Sequence, residues 1–114
     1  MTLKDVQMVL DARVLVGEEH LDREVRGACG SDMMSDVLAF SHDHAILLTG
    51  LTNPQVIRTV EMMDMVCVIF IRGKKPDATI LQMARERGLT VLETDHRMFN
   101  ACGMLYDAGL RGGH

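Results

Sequence analysis

AILLTGLTNPQVIRTVEMMDMVCVIFIRGKKPDATILQMARERGLTVLETD, residues 45–95, decides the fold. Three apolar runs, at 45–49, 66–71 and 90–93, lack the polar–apolar alternation of a half-exposed strand. Such strands are buried on both faces, as in a parallel sheet covered by helices. Between them lie two stretches with helical spacing, PQVIRTVEMMD and KPDATILQMARERG. Pro54 stands at the first turn of one, where a missing N–H costs nothing. Pro76 lies near the start of the other, and Gly88 stops it. HRMFNACGMLYDAGL supplies a third helix, so residues 45–110 read β-α-β-α-β-α. The three strands are expected to be adjacent and parallel, joined by right-handed crossovers. The fold class is α/β, a three-layer α/β/α arrangement with a mostly parallel sheet.

Working outward, Thr2 caps a helix over residues 3–11 whose apolar face is Leu3, Val6, Val9 and Leu10. RVLVG is a short strand ended by Gly17, and LDREVRGACG alternates weakly as a second. Ser31 and Asp32 are expected to cap a helix in MMSDVLAF that stops near Ser41. Residues 1–114 read as one domain, with 110–114 expected to fray.

Net charge is −4 and the pI about 5.6, so the chain repels nucleic acid and anionic membrane surfaces. One Tyr, three Phe and no Trp leave few rings for base stacking. Charges interrupt every apolar run before membrane-spanning length. Cys29, Cys67 and Cys102 form neither a disulfide framework nor a CxxC pair. These features lead to the expectation of a soluble, cytoplasmic protein.

In a parallel sheet all strand carboxyl ends face one way, and ligands bind outside them. Three loops are expected there: Thr49-Gly50-Leu51-Thr52-Asn53, Arg72-Gly73-Lys74-Lys75 and Thr94-Asp95-His96. Each is expected to open a helix, whose free N–H groups and positive dipole end favour anions. Arg72, Lys74 and Lys75 make a local positive spot on an acidic chain. The candidate ligand-binding residues are Thr49, Gly50, Asn53, Gln55, Arg58, Arg72, Gly73, Lys74 and Thr94.

A Walker loop is absent: Val68 stands where GxxxxGK[ST] needs its first Gly, and Lys75 where it needs Ser or Thr. GxGxxG is missing too, which excludes kinase, ATPase and Rossmann dehydrogenase readings. His42 and His44, two apart around Asp43, have metal-like spacing, but no third ligand stands at a familiar distance. No metal and no cofactor is expected. Cys102 follows Met98 by four and Phe99 by three, the spacing of a packed face. The Met62–Met65 region or helix 32–40 is the expected surface for self-association.

The segments SDMMSDVLAF, ILLTGLTNPQVIRT, VIFIRGKKPDATILQMARERGLTVLETD and MFNACGMLYDAGL, in that order, resemble the DRTGG domain family. The resemblance runs from about Leu3 to Leu110. It implies a fold like the amino-terminal domain of HPr kinase/phosphorylase, a domain that also occurs within CBS-domain pyrophosphatases and beside phosphotransacetylase. It implies a regulatory or assembly role, and stand-alone members are associated with iron-only hydrogenase genes. The family's Asp-Arg-Thr-Gly-Gly string is absent; Leu-Thr-Asn-Pro follows Thr49-Gly50.

The expected function is a non-catalytic regulatory module, homodimeric, sensing a small anionic or nucleotide-like ligand at the strand ends. One alternative is a protein-interaction scaffold for a hydrogenase or another redox complex. The other is a small enzyme in which His96 and Asp95 perform acid–base chemistry.

Overall fold

In a computed structural model that describes residues 1–39 and 43–112, one five-stranded sheet separates two helical layers. The strands are β1 (Arg13–Val16), β2 (Gly27–Gly30), β3 (Ala45–Thr49), β4 (Cys67–Phe70) and β5 (Thr90–Glu93). The helices are α1 (Leu3–Leu10), α2 (Met34–Leu38), α3 (Pro54–Met62), α4 (Ala78–Glu86) and α5 (Met98–Asp107). Spatial order across the sheet is β1-β5-β4-β3-β2. β2, β3, β4 and β5 pair in parallel, and β1 runs antiparallel to β5. The expected parallel neighbours are therefore present, within a sheet that also gains β2.

Because β2 to β5 succeed one another in one direction, crossovers of one hand put α2, α3 and α4 on one face. There Val37, Val56, Ile57, Val60, Ile80 and Ala84 pack on Leu47, Val68, Phe70 and Val91. The opposite face carries α1 and α5, where Leu3, Val6, Leu10, Ala101 and Leu105 meet Ile46, Leu48, Cys67, Ile69 and Leu92. Alternate side chains of one strand thus enter two separate cores, which is why the strand sequences show no polar alternation.

The expected caps hold at two helices. Thr2 and Asp5 close a reciprocal capping box on α1, and Asn53 caps α3 with Pro54 directly inside it. Two others are corrected. Ser31 Oγ accepts from the Met33 N–H, whereas Asp32 turns away from α2 to the end of β3. α4 starts at Ala78 under an Asp77 cap, so Pro76 lies outside it. Only the last four residues of LDREVRGACG are strand. Among the described residues no helix is long and apolar enough to cross a membrane.

Candidate functional site

The parallel strands end on a common edge at Gly30, Thr49, Phe70 and Glu93. β1, running the other way, begins on that edge with Arg13 opposite Glu93. Loops leaving β2, β3 and β4 climb toward the α2–α3–α4 layer, while the loop leaving β5 climbs toward α5. Loops that diverge in this way usually leave a crevice between the two strands concerned.

Here that crevice is filled. Arg72 and Gly73 have φ of 58° and 67°, and the Lys74 N–H donates to the Ile71 carbonyl at 3.0 Å, which makes a type I′ turn. The turn is tied to the β5 loop: the Arg72 N–H donates to His96 O at 2.8 Å and the Gly73 N–H to Thr94 O at 2.9 Å. The Arg72 loop therefore does not open a helix, contrary to expectation. The Arg72, Gly73 and Lys74 N–H groups are all satisfied internally, and the Arg72 and Lys74 side chains face outward.

One strand over, a second tie organises the end of β3. Asp32 Oδ1 accepts from Thr49 Oγ1 at 3.0 Å and from the Gly50 N–H at 2.7 Å. Thr49 Oγ1 in turn accepts from the Leu51 N–H at 3.1 Å. Asn53 Oδ1 accepts from the Gln55 N–H at 3.0 Å. Above this frame lies the Arg72 guanidinium, so close that a Cβ at Gly50 would stand 2.5 Å from Arg72 Nη2. Glycine lets the guanidinium lie directly on the backbone there, because a Cβ and the Arg72 head would share one space. Gly50→Ala should shift the exposed Arg72 head while costing less than about 1 kcal/mol of stability, since a flexible side-chain end yields easily. Urea unfolding checks the stability, and a shift of the Arg72 Nε–H resonance in a nitrogen-15 spectrum checks the displacement.

Electrostatics divide the basic cluster. Lys75 Nζ lies 3.1 Å from Glu93 Oε1, and Arg13 Nε lies 2.6 Å from the same atom. Arg13 Nη2 also reaches Asp95 Oδ1 at 2.9 Å. Glu93 is 3% exposed. Burial pushes its carboxyl pKa up, but the Arg13 and Lys75 hydrogen bonds outweigh that and hold it below the usual value. Lys75 and Arg13 are thus structural. Arg72, Lys74 and Arg58 are exposed and make no ion pair among the described residues.

The site residues expected from sequence fall into groups. Thr49, Gly50, Asn53, Arg72, Gly73 and Lys74 converge on the ends of β3 and β4. Gln55 and Arg58 are exposed on the first two turns of α3. Thr94 is buried; its hydroxyl donates to Leu10 O at 3.0 Å and accepts from the His96 N–H at 3.4 Å. The carboxylate of Asp95 engages Arg13, not His96. His42 lies outside the described residues, while His44 Nδ1 is 2.9 Å from Asp43. Among the described residues no cluster of His, Cys, Asp and Glu could hold a metal. Cys67 is fully buried and burial pushes its thiol pKa up, as it does for the half-buried Cys29 and Cys102. The Met62–Met65 run does not form one apolar face: Met62 is exposed, Met63 half-buried and Met65 buried.

Asp32 and Glu93 are the organisers that sequence reasoning passed over. A carboxylate closing an otherwise apolar strand, as in TVLE, is a signal that cations must meet it. Asp32 carries no such signal, because a Ser-Asp pair before a helix looks like an ordinary cap.

A family model described as the DRTGG domain matches residues 5–108. No curated protein matches the chain. Among solved structures, the CBS and DRTGG domains of the regulatory region of Clostridium perfringens pyrophosphatase, complexed with the activator diadenosine tetraphosphate, are similar at a TM-score of 0.74 and 19% identity. The match covers 91% of this chain and 45% of that one, so the chain spans less than half the length of that structure. At this identity the likeness is one of fold.

Proposed function

This chain belongs to the DRTGG domain family, and from that premise we propose that it is a non-catalytic regulatory module sensing a small anionic, nucleotide-like ligand where β3 and β4 end. The observation that carries this reading is the Arg72 guanidinium, exposed, free of ion pairs among the described residues, and laid across the Gly50 backbone. Arg72 occupies left-handed backbone at φ 58°. That conformation suits Gly or Asn better than Arg and is tolerated where the surroundings hold it. A use for its head group explains an Arg at such a position.

A guanidinium offers planar, paired donors to phosphate oxygens, and Lys74 beside it adds a point charge. Asn53, Gln55 and Arg58 on the opening turns of α3 flank the same edge. The engagement of Asp95 by Arg13 supports binding over acid–base chemistry by Asp95 and His96. The nucleotide activator bound by the pyrophosphatase regulatory region supports a polyphosphate as the ligand class. In this reading the chain reports ligand occupancy to a partner protein.

Isothermal titration of the chain with diadenosine tetraphosphate, ATP and inorganic tripolyphosphate tests the proposal. Binding should weaken with salt, and Arg72→Ala should lower affinity at least about tenfold, the loss expected for one charge-assisted contact to phosphate. Asn53→Ala should weaken binding less. If none of the three binds, the sensing function falls. If one binds both variants as tightly as the parent, the site is elsewhere.

A further inference from the structure

α5 turns a face to solvent that nothing in the described chain covers. Phe99 is 87% exposed and Tyr106 59%. Between them Gly103 is exposed, and a Cβ built there meets no atom within 4 Å. Glycine inside a helix is unfavourable relative to alanine, because its backbone loses more freedom on folding. Neither a positive φ nor a close neighbour within the chain calls for it at this position. Two shallow depressions, of about 550 and 450 Å³, meet at Gly103 with Phe99 as the ridge between them. A projecting ring and a hollow thus stand one helical turn apart on one face, a shape complementary to itself.

We propose that this face binds a second copy of the chain, the two α5 helices antiparallel across a two-fold axis and each Phe99 ring seated over Gly103 of the partner subunit. A two-fold contact is reciprocal, so one ridge and one hollow per chain suffice to make two seats. Charge selects the antiparallel sense and a like partner. Arg97 precedes the first turn of α5 and Asp107 ends its last; both are exposed, and neither joins an ion pair among the described residues. Antiparallel helices bring Arg97 of each copy toward Asp107 of the partner subunit and oppose the two helix dipoles favourably. Parallel helices would place like charge beside like. Arg111 does not neutralise Asp107: its guanidinium lies 3.8 Å above the Tyr106 ring and donates to the Tyr106 and Leu110 carbonyls. α5, not the divided Met62–Met65 run, is then the surface for self-association.

Sedimentation velocity on the chain from low to high micromolar concentration should show a dimer. Phe99→Asp should weaken it at least about tenfold, as removal of a central aromatic anchor does. Gly103→Ala provides the separating test. It should raise the melting temperature of the monomer, measured below the dissociation constant, yet weaken the dimer by filling the hollow. Asp107→Lys should weaken association, and adding Arg97→Asp should restore it. A chain that stays monomeric at high micromolar concentration overturns the proposal. So does a dimer whose affinity is unchanged by Phe99→Asp or by Gly103→Ala, with folding verified by circular dichroism.

Discussion

Replacing Arg13 and Lys75 together with alanine is expected to lower the unfolding free energy at neutral pH by about 3 kcal/mol, the cost of leaving a buried carboxylate without its cations. The pH dependence should also change sign. In the parent chain Glu93 titrates below its usual value of 4.5, because the Arg13 and Lys75 hydrogen bonds outweigh burial. Its contribution to stability is complete above that usual value and is lost as pH falls through the lowered one. In the double variant burial acts alone, and the folded-state pKa rises above the unfolded value. The folded protein then binds the proton more tightly than the unfolded chain does. Stability should therefore increase as pH falls from neutrality toward 4.5, where the Glu93 term of the parent is flat. Urea unfolding at several pH values measures both effects. Adding Glu93→Gln should recover most of the loss and remove the inverted slope. A double variant with a parental slope would show that Glu93 is hydrated in the folded state.

Phe70→Ala is expected to cost about 4 kcal/mol, a large share of a typical domain's stability. Phe70 is fully buried and is the largest such side chain among the described residues. It stands at the last position of β4, paired with Thr49 on one side and Glu93 on the other. Truncation would leave a cavity beneath the Arg72–Gly73 turn as well as in the core shared with α3 and α4. Phe70→Leu keeps most of the volume and should cost less than about 1.5 kcal/mol. Denaturant midpoints at unchanged slope would report these losses. Equal effects of the two substitutions would mean that shape at this position matters more than volume.

In both predictions the altered residues lie beside Arg72 but do not include it. Loss of anion binding that tracked only with stability would point to the frame, whereas loss specific to Arg72→Ala would point to the guanidinium itself.

Much of the architecture was legible in the chain. Strands 45–49, 66–71 and 90–93 announced themselves because a strand covered on both sides has no polar face to show. Thr2, Asn53 and Pro54 marked helix starts because capping is local chemistry between residues two or three apart. The parallel neighbours followed from the handedness of the connections. What the chain could not disclose depends on residues distant in sequence. Whether Asp32 caps α2 or grips the Thr49–Gly50 corner seventeen residues on is settled by where β2 and β3 end side by side. Lys75 looked equivalent to Lys74, but the pairing of β1 and β4 with β5 sets Arg13 and the head of the exposed Lys75 against Glu93. The Arg72 loop read as a helix entrance, yet hydrogen bonds to Thr94 and His96 bend it into a turn. Periodicity and capping are properties of neighbouring residues and can be read in one dimension. The partner of a charge is chosen by the packing of strands, so only the tertiary structure decides it.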